Sequence, residues 1–263
     1  MSEGQSVSLC IGNSDNSFPR HLPKRIFSWR LTLEAIPNCG RMGGKGKTSR
    51  QMEKKSLWPE IKTKSHLKAT FLKDSHLFTV QDFLTAAESK SFIQAADSVG
   101  FVHQGSLGPA KGEAYRDNDR ISVEDPILAE KIWKSGLDKL FNGIEVQGRV
   151  AVGLNPNIRF YRYKVGQRFG PHIDESIDLE GGHSTEYTLL VYLNGTNSST
   201  SNNQNLVGGE TVFYDSRKRI VAEVAPAEGM ALLHLHGEKC MLHEARIVKK
   251  SVKYVLRSDV VFA

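Results

Sequence analysis

Residues 172–174 read His-Ile-Asp. In an extended strand, side chains i and i+2 leave on one face. His172 and Asp174 can therefore aim an imidazole and a carboxylate at one point while Ile173 points away. These are two of the three donors of a 2-His-1-carboxylate facial set, which leaves coordination positions open on non-haem Fe(II). Taken alone the triplet is a weak signal. With nine His and 29 Asp/Glu in the chain, one such pair is as easily accident as design. A third donor has to come from elsewhere, and His243 is a candidate: it follows a strand-like run, far enough along for several strands to return to the site. Ten residues further, Lys253 stands in an otherwise apolar, β-rich segment, Val252–Phe262. A cation facing into a barrel is costly unless paired. A dicarboxylate ligand would be a suitable partner.

Positioning these residues needs a scaffold, and the texture of the chain suggests which. Thr85-Ala-Ala-Glu88 has the form of a capping box, with Phe92, Ile93, Ala96 and Val99 at helical spacing behind it and Gly100 as a stop. Asp125-Pro126 predicts a second helix start; Leu128, Ile132, Leu137, Leu140 and Phe141 give it a stripe, and Asn142-Gly143 ends it. After Pro156 come short runs rich in Val, Ile, Tyr and Phe, broken by Gly, Asn and Pro: 158–163, 187–193, 211–214, 220–225, 230–236 and 252–262. Helices first and strands after predict an α+β domain rather than alternating βαβ units. Many short strands predict a sandwich, barrel or jelly roll. Residues 194–205 form a polar Ser/Asn-rich insert that predicts a mobile loop.

With these motifs in order, the chain resembles the 2-oxoglutarate- and Fe(II)-dependent dioxygenases of the prolyl 4-hydroxylase type, including soluble plant members. The resemblance rests on Tyr163…Gly166…His172-x-Asp174, Leu190-Val-Tyr-Leu-Asn194, Gly208-Gly-Glu-Thr-Val-Phe213, Pro226-x-x-Gly229, and His243…Lys253. It covers residues 77–263 and is clearest from 158 onward. It implies a double-stranded β-helix (jelly roll) with N-terminal supporting helices, and His172, Asp174 and His243 as iron ligands. It implies that Lys253 pairs with the distal carboxylate of 2-oxoglutarate. Arg257, on the same strand face, is the alternative anchor, since some relatives carry Arg nearby; Lys253 has the matching interval, and its compact ammonium suits a point-charge contact. Tyr163 and Tyr192 align with positions that hydrogen-bond the cosubstrate. The implied activity is an O2-dependent hydroxylation of a protein side chain, prolyl by resemblance, giving succinate and CO2 with ascorbate as reductant. The alternatives are an oxidative demethylase of nucleic acid and a non-catalytic metal-binding jelly roll. His234 and His236 stand where relatives have apolar or aromatic residues and read as satisfied structural histidines. Cys240 reads as a small packing residue, His103 and His183 as surface residues.

The formal net charge of +6 is uneven. Residues 1–76 hold 14 Lys/Arg against 6 Asp/Glu, and the remainder is slightly acidic. The division expected is a basic, largely disordered segment over 1–70 and a dioxygenase domain over 71–263. The basic segment is a solvated leader or a contact for nucleic acid. Residues 1–41, with Arg20, Arg25 and Arg30 among few acids, read either as an organelle-targeting peptide or as an extension ahead of a start at Met42. Three cysteines make no disulfide framework, which points to a reducing compartment, cytoplasm or nucleus. No apolar run approaches the length of a membrane span.

Overall fold

The computed structural model describes residues 57–105, 114–195 and 205–263. The expectations for residues 1–56, and for most of the 194–205 insert, lie outside the described residues. The described chain enters through β1 (Ala69–Lys73) and β2 (Leu77–Val80), then α1 (Ala86–Val99), β3 (Val102–Gly105) and β4 (Arg116–Glu124). A helical segment follows: α2 (Pro126–Ile132), a π-helical turn (Trp133–Leu137) and α3 (Asp138–Leu140). The rest is strand: β5 (Glu145–Val146), β6 (Arg149–Leu154), β7 (Asn157–Tyr163), β8 (Arg168–His172), β9 (Ser184–Tyr192), β10 (Val207–Gly208), β11 (Thr211–Tyr214), β12 (Ile220–Val224), β13 (Ala231–Leu235), β14 (Leu242–Ala245), β15 (Val248–Lys250) and β16 (Lys253–Phe262).

Fourteen strands form one antiparallel sheet, ordered β1-β2-β13-β9-β16-β7-β4-β8-β14-β11-β12, with β3 on β4 and β6 joining β5 to β16. The sheet curls into a nearly closed jelly roll, the double-stranded β-helix that the motifs imply. Period-2 alternation divides each central strand between two cores. Ile158 and Phe160 of β7, Leu189 and Val191 of β9, and Leu256 and Val260 of β16 pack outward with Phe92, Leu128 and Trp133 of the helical segments. Tyr161 and Tyr163, Tyr192, and Val255 of the same strands face the barrel interior with Phe213 and Leu232. The helices therefore brace one face of the sheet, and the other face is free to build a site.

The helix starts are as the sequence predicts. Thr85 accepts from the Glu88 backbone while Glu88 Oε2 accepts from Thr85 N at 2.7 Å, and Asp125 caps α2 with Pro126 in its first turn. Three expectations are corrected. The second helix is not continuous to Phe141: Gly136 takes φ +142, and a side chain there would meet Leu67 and Lys64 O, so the glycine admits the incoming chain. That incoming chain belongs to the folded body from residue 57, because Trp58 is buried and stacks on Phe160 with centroids 4.6 Å apart. Nor do helices precede all strands, since β1, β2 and β4 lie before or between them. The β4 sequence hides its nature because its buried Asn118 and Asp119 are polar; Asp119 is compensated by Arg162 at 2.9 Å and Lys164 at 3.0 Å. Among the described residues no helix is long and apolar enough to cross a membrane.

Candidate active site

His172 ends β8 and is paired directly with His243 of β14. Asp174 lies just beyond β8 rather than on it. Nitrogens of the two histidines and an Asp174 oxygen all fall within 4.8 Å of one another. His172 Nε2 is 3.6 Å from Asp174 Oδ1, and His243 Nε2 is 3.6 Å from Oδ2. Each Nδ1 meets a backbone carbonyl at 2.9 Å, Gly170 O for His172 and Met241 O for His243. A carbonyl only accepts, so each Nδ1 carries its hydrogen and Nε2 is left to meet a metal. The residues thus fit a mononuclear iron by donor chemistry: two imidazole nitrogens and one carboxylate converge, with tautomers fixed from behind.

Electrostatics divide the three. Burial opposes charge on His243, but its bond to Asp174 outweighs that and raises its pKa to about 9. Burial and the neighbouring His243 lower His172 to about 3. Burial also disfavours the Asp174 carboxylate, yet Arg257 and His243 hold it well below the usual range. Arg257 Nη1 donates to Asp174 Oδ1 at 3.1 Å, and Thr188 Oγ1 donates to Oδ2 at 2.9 Å. His236 Nδ1 is 3.0 Å from the same Thr188 oxygen and its Nε2 is 3.0 Å from Thr185 Oγ1, so His236 is a satisfied buried histidine in a chain of bonds ending on Asp174. His234 is not satisfied: its Nε2 is buried without a partner, and here the expectation of a fully bonded side chain fails.

Lys253 opens β16 opposite Tyr163 of β7, and Arg257 stands four residues on along the same face, opposite Leu190 of β9. Lys253 is buried and donates to Gly209 O at 2.5 Å, its one hydrogen-bond partner among the described residues. Gly209 lies so close that a side chain there would meet Lys253 Cδ at 3.0 Å, and one at Gly208 would meet Ile247 O. Burial lowers the Lys253 pKa to about 7, with Glu210 acting weakly the other way. Its Nζ sits 5.5 Å from the Tyr163 ring and 5.3 Å from the Tyr192 ring. Tyr192 shares a 2.7 Å hydrogen bond with Thr211, and burial pushes both phenols up, so both remain neutral. Lys253, Arg257, Tyr163, Thr211, His172 and His243 line one small interior cavity. Outside it, an open cleft of about 920 Å³ reaches His172 and Asp174 past Arg116, Phe169, Ile173 and Glu175.

Residues 158–258 match the 2OG-Fe(II) oxygenase superfamily. That stretch is a 2OG-Fe(II) oxygenase domain. It is accordingly a dioxygenase, with Fe(II), 2-oxoglutarate and O2 as the family's cofactor and cosubstrates. The fold is that of prolyl hydroxylases. A viral collagen prolyl hydroxylase from Paramecium Bursaria Chlorella virus-1, in complex with 2OG, superimposes with a TM-score of 0.51 at 20% identity, over 74% of this chain and 99% of that one. A Trichoplax adhaerens prolyl hydroxylase, in complex with a peptide fragment of the hypoxia inducible factor oxygen degradation domain, gives 0.51 at 17% identity, over 72% and 84%. No curated protein matches the chain.

Two contributors to this oxygenase site escaped the sequence reading. Thr188 carries a signal in retrospect, since it shares the interior face of β9 with Leu190 and Tyr192. The Arg257–Asp174 pair carries none, because the partners are far apart in the chain and only closure of the barrel joins them.

Proposed function

We propose that the protein is a 2-oxoglutarate-dependent hydroxylase of a protein side chain, prolyl by similarity. In this reading His172, Asp174 and His243 hold Fe(II), Lys253 anchors the distal carboxylate of 2-oxoglutarate, and ascorbate serves as reductant. The observation that carries it is the convergence of the three donors within 4.8 Å beside a buried ammonium with a single carbonyl partner. Bound iron with 2-oxoglutarate and O2 supplies the oxidising chemistry, with succinate and CO2 as coproducts. The chain's own part is orientation. Gly170 O and Met241 O fix the imidazoles, and Arg257 and Thr188 fix the carboxylate from both oxygens. Lys253 offers unused donors to an anion, in a cavity whose tyrosine walls strengthen the attraction by excluding water. Tyr163, the residue paired with Lys253 across the strands, is placed to hydrogen-bond the same anion, with Tyr192 beside it. The peptide reading of the substrate is supported by the open cleft at the iron side, which admits an extended chain, and by the peptide bound to the Trichoplax enzyme. The test is a mass-spectrometric search for a one-oxygen gain in candidate peptides incubated with the Fe(II)-loaded protein. Proline-bearing products that vanish in His172→Ala support the reading. Oxygen transfer confined to nucleic acid bases overturns the peptide assignment.

A further inference from the structure

His234 and Cys240 have no part in the iron set, yet both stand beside it. His234 lies on β13, fully buried, its ring centroid 5.1 Å from that of Phe213 and 4.6 Å from that of His243. Its Nδ1 faces Leu235 O at 3.1 Å and so carries the hydrogen. In the neutral ring this leaves Nε2 bare. That nitrogen has no hydrogen-bond partner and lies 3.7 Å from Asp174 Oδ2. A buried lone pair facing a carboxylate oxygen is unfavourable unless a cation stands between them.

Cys240 brings a donor of another kind. It is a free, half-buried thiol whose Sγ accepts from the Asp174 amide at 3.3 Å and lies 3.9 Å from His243 Nδ1. Cys240 Sγ, a nitrogen of His234 and a nitrogen of His243 lie within 4.8 Å of one another. Two imidazoles and a thiolate suit zinc, and sulfur selects a softer ion than a set of two imidazoles and a carboxylate does.

We propose that His234, Cys240 and His243 form a second metal-binding mode for a thiophilic divalent cation such as Zn2+, and that it excludes iron because both modes use His243. Binding forms a metal–sulfur bond and releases the thiol proton to solvent, with no change of oxidation state. Zn2+ has no redox chemistry of its own, so the protein in this mode is inactive and excess Fe(II) restores it. The exclusion of iron rests on the triad proposed above; the metal–sulfur bond does not.

The experiment titrates the full-length, metal-free protein with Co2+ and records its absorption spectrum, then displaces the Co2+ with Zn2+. A thiolate-to-cobalt charge-transfer band is expected in the wild type and in His172→Ala, and is absent in Cys240→Ser. Zn2+ affinity falls at least about tenfold in Cys240→Ser and in His234→Phe. Cys240→Ser is nearly isosteric at a half-buried position, and its melting temperature checks the fold. No thiolate band in the wild type, a band that requires His172, or equal Zn2+ affinity in wild type and Cys240→Ser overturns the proposal. The triad is judged separately, by the loss of Fe(II) binding in His172→Ala.

Discussion

Lys253 and Arg257 are two cations on one face of one strand, and the barrel treats them in opposite ways. Arg257 is saturated: it donates to Asp174 at 3.1 Å and to Asp259 at 3.4 Å, and Asp259 is tied in turn to Arg159 at 2.6 Å. Burial works against its charge, but the two carboxylates outweigh it and hold the guanidinium above its ordinary pKa. Lys253 has one neutral carbonyl and two aromatic faces, and its pKa drops to about 7. A saturated cation is part of the frame, and an under-partnered one is a socket for an anion. The comparison supports the proposed assignment of the cosubstrate to Lys253 on physical grounds, where the sequence offered an interval and an alternative.

The widest break in the comparison comes from removing Arg257. Arg257→Met takes from the buried Asp174 carboxylate its guanidinium partner, and should cost the metal-free protein about 3–5 kcal/mol in denaturant unfolding. Lys253→Met should cost nothing or stabilise, because it removes a buried charge that lacks an ionic partner. Equal losses would erase the distinction.

In turnover the order reverses. On the proposed function, Lys253→Ala deletes one side of a buried ion pair with the cosubstrate, worth about 2–5 kcal/mol, which should raise the half-saturating 2-oxoglutarate concentration roughly 30- to 4,000-fold. Arg257→Met should change that concentration far less. A smaller effect follows from the Lys253 pKa of about 7. The dicarboxylate pairs with the charged form, so its affinity is full below that pH and falls as pH rises through it. Between pH 6.5 and 8.5 the dissociation constant should rise about 25-fold, and a Lys253→Arg variant, charged throughout, should show no such slope. The smallest effect belongs to Thr188. Thr188→Val removes one hydrogen bond to Asp174, about 0.5–1.5 kcal/mol, and should weaken Fe(II) binding only a few-fold in a metal titration.

What the sequence made legible was what travels as local pattern. The capping box at Thr85, the interval from His243 to Lys253 and the Val-, Ile-, Tyr- and Phe-rich runs of β7, β9 and β16 could all be read before any fold. Residues whose meaning depends on distant partners could not. The β4 strand looks like a polar loop because Asp119 is buried against Arg162 and Lys164. Trp58 sits in a basic stretch without periodicity, and only the sheet reveals that it stacks on Phe160. The bare Nε2 of His234 is likewise a property of its surroundings.

The division of labour on β16 is tested most directly by equilibrium binding of 2-oxoglutarate to the Fe(II)-loaded protein under anaerobic conditions, in wild type, Lys253→Ala and folded Arg257→Met. The account predicts that binding collapses in Lys253→Ala and survives in Arg257→Met. Binding retained in Lys253→Ala and lost in Arg257→Met would contradict it.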